Sequence, residues 1–264
     1  MAATCPTGFN VDQLRAHVRT MYQRLAQAPG GAFHFNHGAA FAAGRLGYDP
    51  DELAALPAAC VERFAGVGNP LRVGPVHPGE TVLDHACGAG VDLLLAAGRV
   101  GPGGRVIGVD MTPAMREQAA AAAAVAGLSA LVEIRAGLFE DLPIRDASVD
   151  LVISNGVLNL SPDKPRALRE IARVLRPGGR LYLADVVVAR ELKLEVRESP
   201  ELWAACIGGA VQESEMLELL QDAGLAGARV TERFDCFAGT SAADKVAVDL
   251  RIGSANFFAA RSAP

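Results

Sequence analysis

The stretch Thr81-Val82-Leu83-Asp84-His85-Ala86-Cys87-Gly88-Ala89-Gly90-Val91-Asp92 decides the fold of this chain. Val82 to Asp84 are typical of the end of a buried strand, Gly88 and Gly90 of a tight turn, and the apolar run 91–100 of a helix. A strand, a glycine turn and a helix start form a nucleotide-type binding site, because glycine lets the backbone approach a ligand. The alternative is a structural turn in another α/β protein.

This stretch departs from a dinucleotide-binding fingerprint. A third glycine is expected three residues after Gly90, where the sequence has Leu93. In pyrophosphate-binding proteins that glycine allows close packing of helix on strand. Asp84, at the strand end, suits a cationic ligand better than a phosphate. An oxidoreductase that uses a dinucleotide is therefore disfavoured.

Composition limits the class of protein. The chain has 264 residues, 50% of them hydrophobic, which is enough for one large α/β domain with appendages. A net charge of -5 argues against a nucleic-acid partner, which would need a basic patch. No run of about 18 apolar residues is present, so we expect no membrane-spanning helix.

The cysteine pattern indicates the compartment. The five cysteines (Cys5, Cys60, Cys87, Cys206 and Cys236) are scattered and odd in number, which favours reduced thiols. The residues from Met1 to Asp12 lack a signal-peptide pattern. We therefore expect a cytoplasmic protein. Because neither a CxxC pair nor an HExxH motif occurs, the sequence predicts no metal site.

Strand and helix patterns alternate after residue 80. The first predicted strand ends at Asp84, and four more cover 105–110, 131–136, 148–154 and 180–187. Two late strands are predicted at 228–234 and 255–260. Predicted helices cover 91–100, 112–127, 166–176 and 213–223. Five alternations predict an α/β fold with a doubly wound, mostly parallel sheet, and the late strands bring the strand count to seven.

The residues before this pattern are mostly helical. Apolar residues recur at spacings of three and four between Val11 and Leu25, and Asp49-Pro50 is typical of a helix start. The segment 66–70 (Gly-Val-Gly-Asn-Pro) breaks the chain. We therefore predict an N-terminal helical cap at 1–70 and a main domain at 71–264.

Asp110 ends the second predicted strand, 20 residues after Gly90. A carboxylate at this distance suits hydrogen bonds to a ribose diol. Helix capping is the alternative, but Thr112 already stands at the cap position. We therefore predict that Asp110 binds a ribose.

Four spaced motifs carry a family resemblance. They are Val82-Leu83-Asp84-x-Ala86-x-Gly88-x-Gly90, Gly108-Val109-Asp110-Met111-Thr112-x-x-Met115, Gly137-x-x-Glu140-x-Leu142-Pro143 and Arg173-Val174-Leu175-x-Pro177-Gly178-Gly179-Arg180. In this order they resemble class I S-adenosylmethionine (SAM)-dependent methyltransferases, over about residues 75–190. The resemblance implies a Rossmann-like fold, SAM as cofactor with S-adenosylhomocysteine as product, and a small-molecule methyl acceptor.

The resemblance also implies a role for each cofactor-binding residue. The glycine turn would meet the methionine part of SAM, Asp84 would hold its amino group or a water on it, and the backbone carbonyl of Asn155 would accept from that amino group. Met111 would stack on adenine, with core packing as the alternative. The full predicted set is Asp84, Ala86, Gly88, Gly90, Asp110, Met111, Met115, Gly137, Leu138, Phe139 and Asn155.

A narrower resemblance concerns the acceptor. The stretches Ser154-Asn155-Gly156-Val157-x-Asn159-Leu160-x-x-Asp163-Lys164 and Trp203-x-x-Cys206-Ile207-Gly208-Gly209-Ala210 resemble arsenite methyltransferases. That group has cysteines where this chain has Val67 and Gly156, so Cys206 alone matches an arsenic-binding thiol. Soft metalloids select several thiolates.

The missing thiols predict weak or absent arsenite methylation and an organic or thiol-containing acceptor. Two alternatives stay open: a non-catalytic SAM-binding protein, and a true arsenite methyltransferase in which Cys60 or Cys87 assists Cys206. We expect Cys87 and Cys236 to be packing residues, since free cysteine is mostly a small buried hydrophobe.

His34 and His37 lie in a glycine-rich loop with Phe35 and Asn36. The loop is either a surface turn or a flap over a ligand. As a flap, it would supply His34 or His37 as a catalytic base for a hydroxyl or amine acceptor. The predicted catalytic residues are therefore Cys206, His34 and His37.

Overall fold

A seven-stranded sheet runs through the computed structural model, which describes residues 4–240 and 251–262. Its strands are β1 (Thr81–His85), β2 (Arg105–Asp110), β3 (Val132–Ala136), β4 (Val149–Asn155), β5 (Leu175–Val187), β6 (Leu225–Phe234) and β7 (Gly253–Arg261). They lie in the order β3-β2-β1-β4-β5-β7-β6, and β7 is antiparallel to both of its neighbours. The predicted doubly wound, mostly parallel sheet is confirmed.

The burial of β1 and β2 explains their central position in the sheet. The side chains of β1 and β2 are buried on both faces beyond the first residue of each strand, as expected for parallel strands covered by helices. β1 pairs with β2 on one side and with β4 on the other, so the chain order reverses at β1. Ligands of doubly wound sheets bind at such a switch point, beyond the carboxyl ends of the strands.

Helices cover both faces of the sheet. They are α1 (Val11–Gln27), α2 (Ala39–Leu46), α3 (Pro50–Ala54), α4 (Ala58–Val61), α5 (Val91–Val100), α6 (Pro113–Val125), α7 (Lys164–Val174), α8 (Leu194–Arg197), α9 (Pro200–Ala204) and α10 (Glu213–Asp222), with 3-10 turns at Pro70–Arg72 and Leu158–Leu160. None of them, over the described part of the chain, has the length and apolar character to cross a membrane.

Local chemistry sets several helix starts. Asp49 Oδ1 accepts from the amides of Asp51 and Glu52, which confirms the predicted cap of α3. Thr112 holds the N-cap position of α6, but its side chain makes no capping bond. The predicted N-cap position of Thr112 is confirmed, while its hydroxyl interacts with the Asp110 carboxylate rather than with the helix amides.

The residues before position 70 share their core with the sheet. Leu14, Val18 and Leu25 of α1 belong to the same apolar cluster as Leu93 and Met115. The Nη2 atom of Arg15 also stands 3.5 Å from Oε2 of the buried Glu140. α1 is thereby held over the carboxyl edge of the sheet, while a division into two domains at residue 70 stays a prediction.

Candidate cofactor and acceptor site

A cavity of about 860 Å³, including the part open to solvent, lies beyond the carboxyl ends of β1, β2 and β4. Of the eleven predicted cofactor-binding residues, ten line it: Asp84, Ala86, Gly88, Gly90, Asp110, Met111, Met115, Gly137, Phe139 and Asn155. Leu138 lies outside its lining, because it forms a small bridge with Asp141, whose amide donates to the Leu138 carbonyl. Phe139 provides the wall at this point.

The glycine turn forms one side of the cavity. Gly90 has φ of +100° and precedes α5, and a β-carbon there would stand 3.3 Å from Ala119 Cβ. Both the left-handed conformation and the close approach of α6 therefore favour glycine. Ala86 also has a positive φ, +65°, which is a costly conformation for a residue with a side chain.

Asp84 presents an unpartnered carboxylate oxygen to the cavity. Its side chain is buried, and Oδ2 has no hydrogen-bond partner among the described residues. Burial raises the pKa of Asp84 well above its usual range, and the nearby carboxylates of Asp92 and Asp110 raise it further. A buried carboxylate without a partner is costly unless a cation joins it. The ammonium group of SAM fits this position.

Asp110 is held ready by backbone amides. Its Oδ2 accepts from the Gly88 amide at 2.9 Å and its Oδ1 from the Thr112 amide at 2.8 Å. Burial raises the pKa of this carboxyl, while the bonds from Thr112 and Gly88 lower it. Because a carboxylate has about four lone-pair positions, both oxygens can still accept from a ribose diol.

The side chain of Asn155 has a structural task that the sequence did not indicate. Its Oδ1 accepts from the amides of Val67 at 2.8 Å and Gly68 at 3.2 Å. Its Nδ2 donates to Asp92 Oδ2 at 2.9 Å and to the Tyr48 hydroxyl at 3.1 Å. The side chain thus ties the 66–69 segment to β4, and only the backbone carbonyl of Asn155 is left for the predicted cofactor contact.

A second, smaller cavity of about 300 Å³, including the part open to solvent, adjoins the first. Tyr22, Ala65 and Gly66 line both cavities, and Cys206 and Cys236 line the second. Of the described residues around this second cavity, none has a charged side chain. The expectation that Cys236 is only a packing residue is incomplete, because the end of β6 brings its buried thiol to the same space as Cys206.

The two thiols are protonated at neutral pH. Burial raises the pKa of Cys236 to about 12 and raises that of Cys206 further. The Tyr22 hydroxyl interacts with the Cys206 thiol and opposes part of this increase. The sequence gives no signal for Tyr22, because its position in α1, one residue after Met21, is typical of ordinary helix packing.

His34 and His37 lie beside the second cavity rather than in its wall. Within the described residues, Phe35 and Asn36 line the cavity, and the two histidines lie outside the lining of both cavities. The His34 ring packs edge-on against Phe35 at 4.9 Å and the His37 ring against Phe33 at 5.2 Å. Burial lowers the pKa of His34. The structure therefore gives no support to their predicted role as bases.

Comparisons with known proteins agree with this geometry. A family model for the methyltransferase domain matches residues 76–224. An arsenite methyltransferase from Halobacterium salinarum is 42% identical over 189 residues, which are 72% of this chain and 48% of that protein. The chain spans about half the length of the curated relatives it matches first.

Solved structures show the same fold. An arsenic(III) S-adenosylmethionine methyltransferase from Chlamydomonas reinhardtii is 36% identical, with a TM-score of 0.70 over 79% of this chain and 71% of that one. The [4+2]-cyclase SpnF matches 99% of both chains with a TM-score of 0.64, but at 21% identity it shows the fold alone. The chain therefore belongs to the methyltransferase-domain family, among the class I SAM-dependent methyltransferases that resemble arsenite methyltransferases.

Proposed function

We propose that the chain transfers a methyl group from SAM to a small, uncharged acceptor held in the second cavity. The observation that carries the proposal is the contact between the two cavities, which share Tyr22, Ala65 and Gly66 as lining residues. A donor bound in one cavity and an acceptor in the other would meet at this shared wall. Positioning two reactants in this way can supply much of the rate acceleration.

The residues of the first cavity would fix the donor. Asp84 would pair with its ammonium group and Asp110 with its ribose, so that the donor is held at two separated points. SAM, when bound, supplies a methyl group already activated on a sulfonium sulfur. The chain therefore has to orient the acceptor and exclude water, and the buried side chains of Val18 and Met115 supply apolar walls for this.

The second cavity restricts the acceptor. Since none of its described lining residues is charged, burying an ionised acceptor there would carry a large desolvation cost. Because the described lining residues include no carboxylate or imidazole, acceptors that need a base to remove a proton are also disfavoured. A neutral, soft nucleophile with an available lone pair suits both conditions.

A non-catalytic SAM-binding protein is the second candidate. The absence of thiols at Val67 and Gly156 favours it, since a substrate site that lost its ligands need not turn over. The test has two steps on the purified chain: calorimetry with SAM, then methyl transfer from labelled SAM to a panel of thiols, organic arsenicals and amines. We expect SAM binding and transfer to a soft acceptor.

The outcomes separate the candidates. SAM binding without transfer to any acceptor, at concentrations that saturate the donor site, supports the non-catalytic alternative. Failure to bind SAM at all contradicts both candidates. A variant with Tyr22→Ala, which opens the shared wall, should keep SAM affinity within a few-fold but lose transfer.

A further inference from the structure

We propose that Cys206 and Cys236 form a two-thiol site for a trivalent metalloid that carries one organic substituent. This inference deepens the proposed function by naming the acceptor class, and it rests on that function only for the later methyl transfer. The two cysteines lie 30 positions apart, and α10 and β6 bring them to one cavity.

The position of Cys206 is costly for a structural cysteine. Cys206 follows α9 and its C-cap residue Ala205, and its φ is +63°. Glycine is the usual residue at this position after a helix, because a side chain strains the left-handed conformation. A cysteine here directs a thiol into the cavity at an energetic cost, which is expected of a functional residue.

Cys236 is fixed by a separate set of contacts. The Asn36 side chain donates to the Cys236 carbonyl at 3.1 Å and to the Ala238 carbonyl at 3.2 Å. These bonds attach the end of β6 to the loop before α2, and Cys236 is only 4% exposed. The thiol is therefore positioned before any ligand arrives, which lowers the entropy cost of binding.

The number of thiols defines the ligand. No group of three or more histidine, cysteine, aspartate or glutamate side chains able to hold a metal occurs among the described residues. Two thiols satisfy a trivalent metalloid when its third position carries a carbon substituent. The aromatic rings of Phe35, Phe41 and Phe237 line the same cavity and would pack on that substituent.

The binding step balances without a redox partner. A hydrated organic arsenical, R–As(OH)2, exchanges both As–O bonds for two As–S bonds. Each hydroxide leaves with one thiol proton as water, and arsenic keeps its trivalent state. The exchange is neutral overall because each thiol proton leaves with a hydroxide as water, whereas alkylation consumes a free thiolate. We expect slow reaction of the pair with iodoacetamide, and capture of the arsenical without net release of protons.

The test uses phenylarsine oxide and the reduced full chain without SAM. Trp203, the single tryptophan of the sequence, lies three residues before Cys206 and is fully buried, so its fluorescence reports binding. We expect one arsenical per chain, with loss of two titratable thiols. Because the second bond forms within one molecule, removing either thiol should weaken binding by about 100-fold.

The variants are C206G, C236S and C236A, with C5S as the matched control. C206G removes one thiol and relieves the positive φ, so it should fold at least as well as the parent chain. C5S should bind normally, since Cys5 lies outside both cavities within the described residues. Inorganic arsenite should bind about tenfold more weakly than phenylarsine oxide, because it lacks the organic group that packs on the aromatic rings.

Three results overturn the inference. They are unchanged affinity in C206G, unchanged affinity in both Cys236 variants, or a stoichiometry of one thiol per arsenic. SAM calorimetry on the same samples separates the two proposals. A chain that captures the arsenical but not SAM contradicts the proposed function alone, and a chain that binds SAM but not the arsenical contradicts this inference alone.

Discussion

Val67 packs against Gly156: a β-carbon at position 156 would stand 3.2 Å from Val67 Cγ1. These are the two positions where related sequences would carry thiols, so the structure places both substitutions side by side. Val67 also lines the cavity of Cys206 and Cys236, whereas Gly156 has φ of +73°. A thiol at 67 therefore fits the present backbone, and one at 156 does not.

We expect Val67→Cys to create a three-thiol site and to raise arsenite affinity by about 100-fold, because a third bond forms within the same molecule. Val67→Ser is the matched control, since it has similar size without a soft ligand. Fluorescence titration of Trp203 with arsenite measures the change. Equal affinities in the cysteine and serine variants would show that position 67 does not reach the bound metalloid.

Gly156→Cys tests the backbone argument. Its positive φ and the contact with Val67 predict a loss of about 1–3 kcal/mol in the free energy of unfolding. Denaturant unfolding measures it. Combining the change with Val67→Ala should recover the part of the loss that comes from crowding, and no recovery would assign the whole effect to backbone strain.

Asn155→Ala should lower the free energy of unfolding by roughly 2–4 kcal/mol, because several buried groups lose their partner. The amides of Val67 and Gly68 would lose their acceptor, and the Asp92 carboxylate would lose one of its donors. Asn10→Ala, which removes a single cap bond at the start of α1, should cost about 1 kcal/mol. Similar losses in the two variants would contradict the assignment of Asn155 as a structural hub.

The fold was largely predictable because its signals are local. Glycine turns, alternating apolar runs and Asp49 act within a few residues of the elements that they define. α2 was not predicted, because Gly38 begins it with φ of +82° and without a side-chain cap, inside a stretch typical of a loop. The predicted cofactor-binding residues lie at or just after strand ends, which are local signals. For this reason ten of the eleven line the first cavity.

The acceptor cavity was less predictable because it is assembled from distant segments. Tyr22 comes from α1, Cys206 from the end of α9 and Cys236 from the end of β6. No spacing in the sequence links these three residues, and Cys236 matches no thiol position of the related group. The structural role of Asn155 was hidden for the same reason. Its partners Asp92 and Tyr48 lie 63 and 107 positions away along the chain.

We expect SAM binding to depend on pH because Asp84 is protonated at low pH. Its raised pKa means that the carboxylate becomes protonated, and loses its attraction for the ammonium group, as the pH falls through that pKa. We expect SAM affinity to decrease on acidification from pH 8 to pH 5.5. Asp92 and Asp110, whose pKa values are also raised, contribute to this trend.

Asp84→Asn isolates the contribution of Asp84. At pH 8 we expect a loss of about 1.5–3 kcal/mol in SAM binding, the scale of a bond to a charged group, and a smaller loss at pH 5.5. Calorimetry at both pH values gives the difference. The fold should be as stable as the parent or more so, because a buried charge with an unpartnered oxygen has been removed. A loss that is equal at both pH values would argue against ion pairing.

We expect the buried His85 to make the stability of the fold sensitive to acid. It is fully buried between Ser154 Oγ and the Phe139 carbonyl, and burial lowers its pKa from 6.5 to about 4. Below pH 6.5 the unfolded chain takes up a proton that the folded chain refuses, so stability falls as the pH decreases toward 4. We expect this residue to remove about 2 kcal/mol between pH 7 and pH 5.

His85→Gln provides the comparison for that prediction. Glutamine keeps a donor and an acceptor but does not titrate, so the stability difference between parent and variant should narrow on acidification. Urea unfolding at pH 7, 6 and 5 measures both chains. The buried carboxylates of Asp84 and Asp185 have raised pKa values and act with the opposite sign, but they are common to both chains. Parallel pH profiles would exclude a buried neutral histidine.

Asp110→Asn tests the ribose assignment, and the structure determines how the test must be designed. The carboxylate accepts from both the Gly88 and Thr112 amides, so an alanine would also loosen the glycine turn. Asparagine keeps the size and one acceptor oxygen but removes the charge. We expect SAM binding to weaken by about 1.5–3 kcal/mol, the scale of hydrogen bonds to a charged group.

A second ligand separates a lost ribose contact from a loosened turn. S-methylmethionine carries the same sulfonium and amino acid groups as SAM but has no ribose, so its affinity depends on Asp84 and the turn alone. If Asp110 binds the ribose, Asp110→Asn should weaken SAM and leave S-methylmethionine unchanged, as measured by competition calorimetry and ligand-detected NMR. Equal losses for both ligands would mean that Asp110 acts by holding Gly88 and Thr112, and the ribose contact would have to be assigned elsewhere.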